Sequence, residues 1–261
     1  MNITLSDRSK QMLNKVPEIT IFFWIIKIMA TTVGETAADF LNFNLNFGLS
    51  GTSSVTGGLL LVALFIQMRA KKYIPWMYWV TVVLISVFGT LVTDNMVDNF
   101  GIALKTTTIV FSVALLATFA AWYASEKTLS IHSIHTTRRE LFYWAAILFT
   151  FALGTAAGDL TAEGLHFGYA VSALIFAGLI AAVTLAYYRF KLNAVTAFWI
   201  AYILTRPFGA SCGDFLSQPV TNGGLGLGTT GTSLIFLITI LGLVSYLTVS
   251  QKKELAAQKP L

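Results

Sequence analysis

Apolar positions gather into eight runs of about 20 residues, at roughly 19–41, 53–69, 76–97, 102–124, 141–162, 167–188, 195–217 and 229–249. As helices, runs of that length cross a hydrocarbon core about 30 Å thick, because each residue advances a helix by about 1.5 Å. Polar positions collect between the runs, in connections too short for a folded soluble domain, and in two tails, Met1–Pro17 and Ser250–Leu261. The first run begins near Ile19 and carries Glu35 and Asp39 at its far end, which suits a retained helix rather than a cleaved signal. The pattern predicts an all-α membrane protein: eight transmembrane helices in one transmembrane domain over 1–261.

The polar and aromatic positions recur at a fixed interval within these runs. Tryptophans stand at Trp24, Trp79, Trp144 and Trp199, each behind an aromatic residue (Phe23, Tyr78, Tyr143, Phe198). Ten residues after each comes a glycine (Gly34, Gly89, Gly154, Gly209), and five further on an aspartate (Asp39, Asp94, Asp159, Asp214). The copies start 55, 65 and 55 residues apart, so the chain reads as a duplicated duplication with repeats at about 17–70, 73–125, 138–190 and 193–250. Two spans per copy make the four copies parallel, around a pseudo-symmetry axis along the membrane normal. Odd-numbered spans then surround a shared interior and the nearly uncharged even-numbered spans face lipid. The small residues four positions after each glycine (Ala38, Thr93, Gly158, Gly213) predict close helix contacts there. The aromatic–Trp pairs read as interfacial anchors on the cytoplasmic side.

Charge fixes the orientation. Arg8, Lys10 and Lys15 precede the first span; Arg69, Lys71 and Lys72, then Lys127, Arg138 and Arg139, then Arg189 and Lys191 fill alternate connections; Lys252, Lys253 and Lys259 close the chain. The opposite connections hold no lysine or arginine, so both termini are expected in the cytoplasm. Composition agrees: 11% charged and 56% hydrophobic residues, against about 25% charged in soluble domains. The net charge of +5 is absorbed by this asymmetry and calls for no nucleic acid. One cysteine, Cys212, excludes an internal disulfide or a multi-cysteine metal site.

The stretch from Lys15 to Trp24 (KVPEITIFFW), Gly34-Glu35 with Asp39, and Thr205-Arg206-Pro207-Phe208-Gly209-Ala210 with Asp214 carry a family resemblance. The chain resembles a bacterial membrane family defined by four tandem copies of a repeat of unknown function, number three-four-seven in that series, whose members are often labelled uncharacterised membrane-anchored proteins. The resemblance implies two spans and a tryptophan per repeat, in a multi-pass protein of the bacterial cytoplasmic (inner) membrane. It brings no substrate.

Chemistry is carried by the polar residues of the odd spans. Seven acids lie in them or at their ends (Glu35, Asp39, Asp94, Asp98, Asp159, Glu163, Asp214), against three cations (Lys27, Lys105, Arg206). Three acid pairs have i,i+4 spacing, about 6 Å apart on one helix face, and carboxylates that close share a proton or hold a cation. Tryptophan to aspartate is 15 residues, about 22 Å of helix, which puts the aspartates in the outer third of the core, either facing the bundle or solvated at its rim. Glu35, Lys27 and Arg206-Pro207 break the repeat: Thr90, Thr155 and Ala210 stand where Glu35 does, and Val82, Ile147 and Tyr202 where Lys27 does. Lys27 is expected either to snorkel to the cytoplasmic interface or to pair with an acid, and Arg206 to neutralise a nearby aspartate. Pro207 is expected to kink its helix and free the Ile203 carbonyl. Thr31 adds a hydroxyl ligand. His132 and His135 have metal-compatible spacing but two histidines carry little, and the glycine-rich stretches Gly48–Gly58 and Gly223–Gly231 read as outer loops, with re-entrant or flexible gate segments as the alternative.

These residues point to a transporter or exchanger of a small cation, a divalent metal such as Mn²⁺, Mg²⁺ or Ca²⁺, with protons as a compatible partner. The expected site is Glu35, Asp39, Asp94, Asp159 and Asp214 as metal ligands, with Lys27, Arg206 and Thr31 beside them. The alternatives are a carrier of a small organic solute gripped by Lys27 and Arg206, and a scaffold without transport. No enzyme is expected: there is no H-E-x-x-H and no nucleotide loop. A resident cofactor is not expected, a bound divalent cation being the substrate. The lipid bilayer is the expected partner, and a homo-oligomer is left open.

Overall fold

Helices account for nearly all of the structure, a computed structural model that describes residues 14–45 and 47–257. Among the described residues there are eight α-helices: α1 (Ile21–Asp39), α2 (Gly48–Arg69), α3 (Pro75–Asp94), α4 (Leu104–Glu126), α5 (Thr137–Asp159), α6 (Tyr169–Phe190), α7 (Ala194–Ser217) and α8 (Gly228–Ala257). The starts follow local chemistry. Thr20 and Thr136 hydroxyls accept from the Phe23 and Arg139 amides, Asn193 caps α7, and Pro75 opens α3. Seven helices are long and apolar enough to cross a membrane. The eighth, α7, carries Arg206, Pro207 and Asp214, and the helices around it shield those groups.

The odd helices form a closed ring: α1 packs on α3, α3 on α5, α5 on α7, and α7 back on α1. All four run the same way, since their tryptophans meet at one end and their aspartates at the other. The even helices do not pack chiefly within their own repeat. Each docks on the odd helix of the next: α2 on α3, α4 on α5, α6 on α7, and α8 on α1, so the last repeat closes the circle on the first. Thr36 and Ser233 hydroxyls, 2.7 Å apart, mark that closure. The outer faces of the even helices are apolar and exposed, as lipid requires.

Glycine makes the ring tight. A Cβ on Gly34 would overlap Ser86, one on Gly89 would meet Phe151, one on Gly154 would overlap Arg206, and one on Gly209 would overlap Thr31. Each glycine thus receives the residue seven positions past the tryptophan in the following repeat, and the small residues one turn on continue the seam: Thr93 donates to Ala152 O (2.9 Å).

The aromatic pairs are not interfacial anchors. Phe23 packs at a tilt against Trp79 (5.7 Å between ring centroids), Tyr78 against Trp144 (5.5 Å), Tyr143 against Trp199 (6.3 Å) and Phe198 against Trp24 (5.7 Å). They form a second closed circle, largely buried, that plugs one end of the bundle. Position near a helix end suggested a lipid interface, but the ring turns these side chains inward.

Two further expectations change. Residues 48–58 are helical, the first turns of α2 rather than a loop; of 223–231, residues 223–227 do fold as a loop, their amides bonded to carbonyls at and just after the end of α7, while 228–231 are the first turn of α8. Residues 14–17 are anchored rather than a free tail: Lys15 Nζ makes a buried ion pair with Glu140 (2.6 Å) and donates to Met68 O (2.9 Å). Arg8, Lys10 and Lys259, which contribute to the charge asymmetry, lie outside the described residues.

Candidate functional site

Successive turns of the odd helices place residues four apart on the inner face, so each interior tier takes one residue per repeat. Above the aromatic circle lie Lys27, Val82, Ile147 and Tyr202, then Thr31, Ser86, Phe151 and Arg206, then Glu35, Thr90, Thr155 and Ala210, all buried. The four aspartates follow, and beyond them Phe43, Asp98, Glu163 and Gln218. The two lower tiers are filled; the upper ones open into a cavity of about 190 Å³.

All seven acids of the odd helices line it, with Asn42, Phe43 and Gln218 near the mouth. Exposure is graded: Asp98 and Glu163 are exposed, Asp39, Asp94 and Asp159 half-buried, and Glu35 and Asp214 buried. Three repeats widen directly after the aspartate into a π turn, Phe40–Asn44, Asn95–Asn99 and Leu160–Gly164. Such turns interrupt the regular ladder and recur at functional sites. The fourth repeat has none; α7 ends at Ser217.

At the depth of the cavity, carboxylate oxygens of Glu35, Asp159 and Asp214 lie within 4.8 Å of one another. Three oxygens within that spacing lie no more than about 2.8 Å from a common centre, close to the 2.3–2.6 Å at which oxygens bind Ca²⁺. Asp39 and Asp94 line the same cavity but stand outside this cluster, so three of the five expected ligands converge.

The floor is one cation and its acceptors. Arg206 is fully buried, and its Nη2 donates to Glu35 Oε2 (3.0 Å), to Thr155 Oγ1 (2.7 Å) and to Thr90 Oγ1. The expected partner was an aspartate; the observed one is Glu35, the other symmetry-breaking residue. Arg206 occupies the tier below Glu35 in the neighbouring repeat, and those two breaks in adjacent tiers are the signal from which the pair could have been found. Arg206 Nε and Nη1 have no partner among the described residues.

Two expected site residues lie elsewhere. Lys27 does not snorkel and pairs with no acid among the described residues: its Nζ donates to Tyr202 O (3.1 Å) and lies over the rings of Tyr202 and Phe151 (4.4 and 5.0 Å to the centroids). Thr31 donates to Ile28 O (2.6 Å) and packs in the Gly209 seam, away from the cavity. The carbonyls below Pro207 that receive donors from α1 are Tyr202 and Thr205 rather than Ile203. His132 lines a separate cavity at the opposite end.

One family model, described as Repeat of Unknown Function (DUF347), matches the chain four times, over residues 22–73, 77–128, 142–193 and 197–253. No curated protein and no solved structure matches it.

Proposed function

This chain belongs to that repeat family, and from its cavity we propose a membrane carrier of a small cation, a divalent metal ion bound by Glu35, Asp159 and Asp214. The observation that carries the proposal is the convergence of those three carboxylates, from three different helices, on one point within 4.8 Å. Acids at membrane depth are costly, and a fold that needed only rigidity would not gather seven around one cavity with a single arginine at its floor. The cavity's volume supports a small substrate. About 190 Å³ is roughly six waters at about 30 Å³ each, room for an ion with part of its hydration shell and too little for most drug-sized molecules.

In this reading all eight helices span the bacterial cytoplasmic membrane around an axis along its normal, with both termini in the cytoplasm. Residues 14–20, the α2–α3 connection, the α4–α5 connection and the end of α8 meet at one end, which carries the basic connections. The acidic cavity then opens to the outside. The protein moves its cation without converting it chemically, needs no resident cofactor and has no nucleic-acid partner.

The organic-solute alternative has less support, because Lys27 and Arg206 do not line one cavity and Arg206 is already held by Glu35. Uptake of Mn²⁺ into proteoliposomes tests the proposal. Wild type should accumulate it, and Asp159→Asn and Asp214→Asn should not; equal uptake by all three, or none by wild type, removes it.

A further inference from the structure

Two cavities open at opposite ends of the ring. The second, about 470 Å³, has Phe23 and Trp79 of the aromatic circle in its wall, with Tyr73 beside them. Between it and the acidic cavity the filled tiers leave no passage for a metal ion. They are not apolar, however. Arg206 Nε and Nη1, Ser86 Oγ and Tyr202 Oη are buried without partners among the described residues, and by tier they lead from the floor of the acidic cavity toward Trp79 and Tyr73, which face each other in the wall of the second. Buried polar atoms nearly always have a partner, and where protein supplies none, water commonly does. These polar atoms make a thread through the packed tiers that a proton, relayed by water, can follow and a metal ion cannot.

Lys27 sits in the middle of this thread, fully buried, held by one carbonyl and two aromatic faces with no carboxylate in reach among the described residues. Packing does not require it. The same tier takes Val82, Ile147 and Tyr202 from the other repeats, equally buried, so the ring is built three times over without a cation at that place. Lysine differs from arginine in being able to release its proton when removed from water. The groups in contact with it are Tyr202 from α7 and the Phe151 ring from α5, with Arg206 beside that ring, and the paired hydroxyls of Tyr78 and Tyr143 belong to the aromatic circle one tier below. Glu35 lies about two turns along α1 in the Arg206 pair, and α8 places Tyr246 on Phe22.

We propose that Lys27 is the proton-carrying site that couples cation movement to a counterflow of protons. This rests on the cation reading above. Arg206 links the two sites, for it is paired with Glu35 on one side and shares the Phe151 ring with Lys27 on the other (5.5 and 5.0 Å to the centroid). A cation seated on Glu35 takes away the counter-charge of Arg206, and the bared guanidinium repels the Lys27 ammonium. An N–H bond of the ammonium breaks, its proton passes to water in the thread, and a neutral amine remains. When the cation leaves, Glu35 returns to Arg206 and the amine takes up a proton again.

The test uses the full chain with Mn²⁺ as probe, binding followed by the Mn²⁺ paramagnetic signal in detergent and proton movement by a pH dye trapped in proteoliposomes. Wild type should bind Mn²⁺ and move protons against its uptake. Lys27→Val and Lys27→Met should bind Mn²⁺ at least as tightly as wild type, because no ammonium opposes the ion through Arg206, and lose the proton counterflow. A wild-type ratio of protons to Mn²⁺ in either variant overturns the proposal, as does Mn²⁺ uptake by wild type with no proton movement; both leave the cation reading standing. Failure of both variants to fold makes Lys27 a structural residue and also overturns it. Absence of Mn²⁺ binding in wild type sinks the cation reading itself.

Discussion

Gly209 in the fourth repeat receives Thr31 of the first as Gly154 in the third receives Arg206 of the fourth. The same contact thus joins neighbours in sequence and the two ends of the chain, and closes four tandem copies into a ring. Replacing Gly209 by alanine would drive a Cβ into the Thr31 Cβ and hydroxyl and toward the Ile28 carbonyl. Gly178, on α6, faces open space. Gly209→Ala should therefore destabilise by about 1–3 kcal/mol, whereas Gly178→Ala should stabilise by up to about 1 kcal/mol through helix propensity. Thermal melting of the purified variants in one detergent checks this, and similar shifts for the two would contradict the seam.

The closure of α8 on α1 can be trapped. With Cys212 replaced by serine, Thr36→Cys and Ser233→Cys place thiols where two hydroxyls lie 2.7 Å apart. Mild oxidation should give an intramolecular disulfide, seen as a non-reduced monomer of altered mobility whose halves stay linked after proteolysis between α4 and α5. Dimers alone, or no bond, would mean that the first and last helices are not neighbours.

Much of this architecture was legible because the chain states it four times. The Trp–Gly–Asp interval gave the repeats, the glycine seam and the level of the aspartates, and residues that broke the interval (Glu35, Lys27, Arg206) proved to occupy the interior. The direction in which Trp79 or Trp144 points was not legible. In lipid, core and surface are both apolar, so hydropathy does not separate a tryptophan plugging a bundle from one anchoring it. For the same reason the sequence did not say that α2 docks on α3 rather than on α1. Residues 48–58 looked like a loop by their glycines, which membrane helices tolerate more readily than soluble ones.

Glu35 and Arg206 should be energetically coupled. Glu35→Gln leaves a fully buried guanidinium without its counter-charge, and breaking a buried pair costs about 3–5 kcal/mol. Glu35→Gln together with Arg206→Met removes both charges and should be less destabilising than Glu35→Gln alone. A double-mutant cycle on melting temperature measures this; additive losses would show that the two do not interact.

Orientation is open to chemical labelling. In a Cys212→Ser background, a cysteine at Asn222, in the connection between α7 and α8, should react with an impermeant maleimide on intact cells. One at Ser133, between α4 and α5, should react only after permeabilisation. The reverse pattern would put the acidic cavity on the cytoplasmic side.

Mn²⁺ affinity should rise with pH. A carboxylate binds a metal ion only when deprotonated, so each ligand that holds a proton in the empty site must release it. Protons then compete with the ion, and apparent affinity falls as the buffer is made acidic. Asp159→Asn should lower affinity in alkaline buffer and flatten the dependence, because one competing proton is gone, whereas Asp98→Asn at the exposed mouth should do little to either. Titrations at several pH values, followed by the paramagnetic signal of free Mn²⁺, give both the affinity and its slope. A slope unchanged in Asp159→Asn would place the bound ion away from the three-carboxylate cluster.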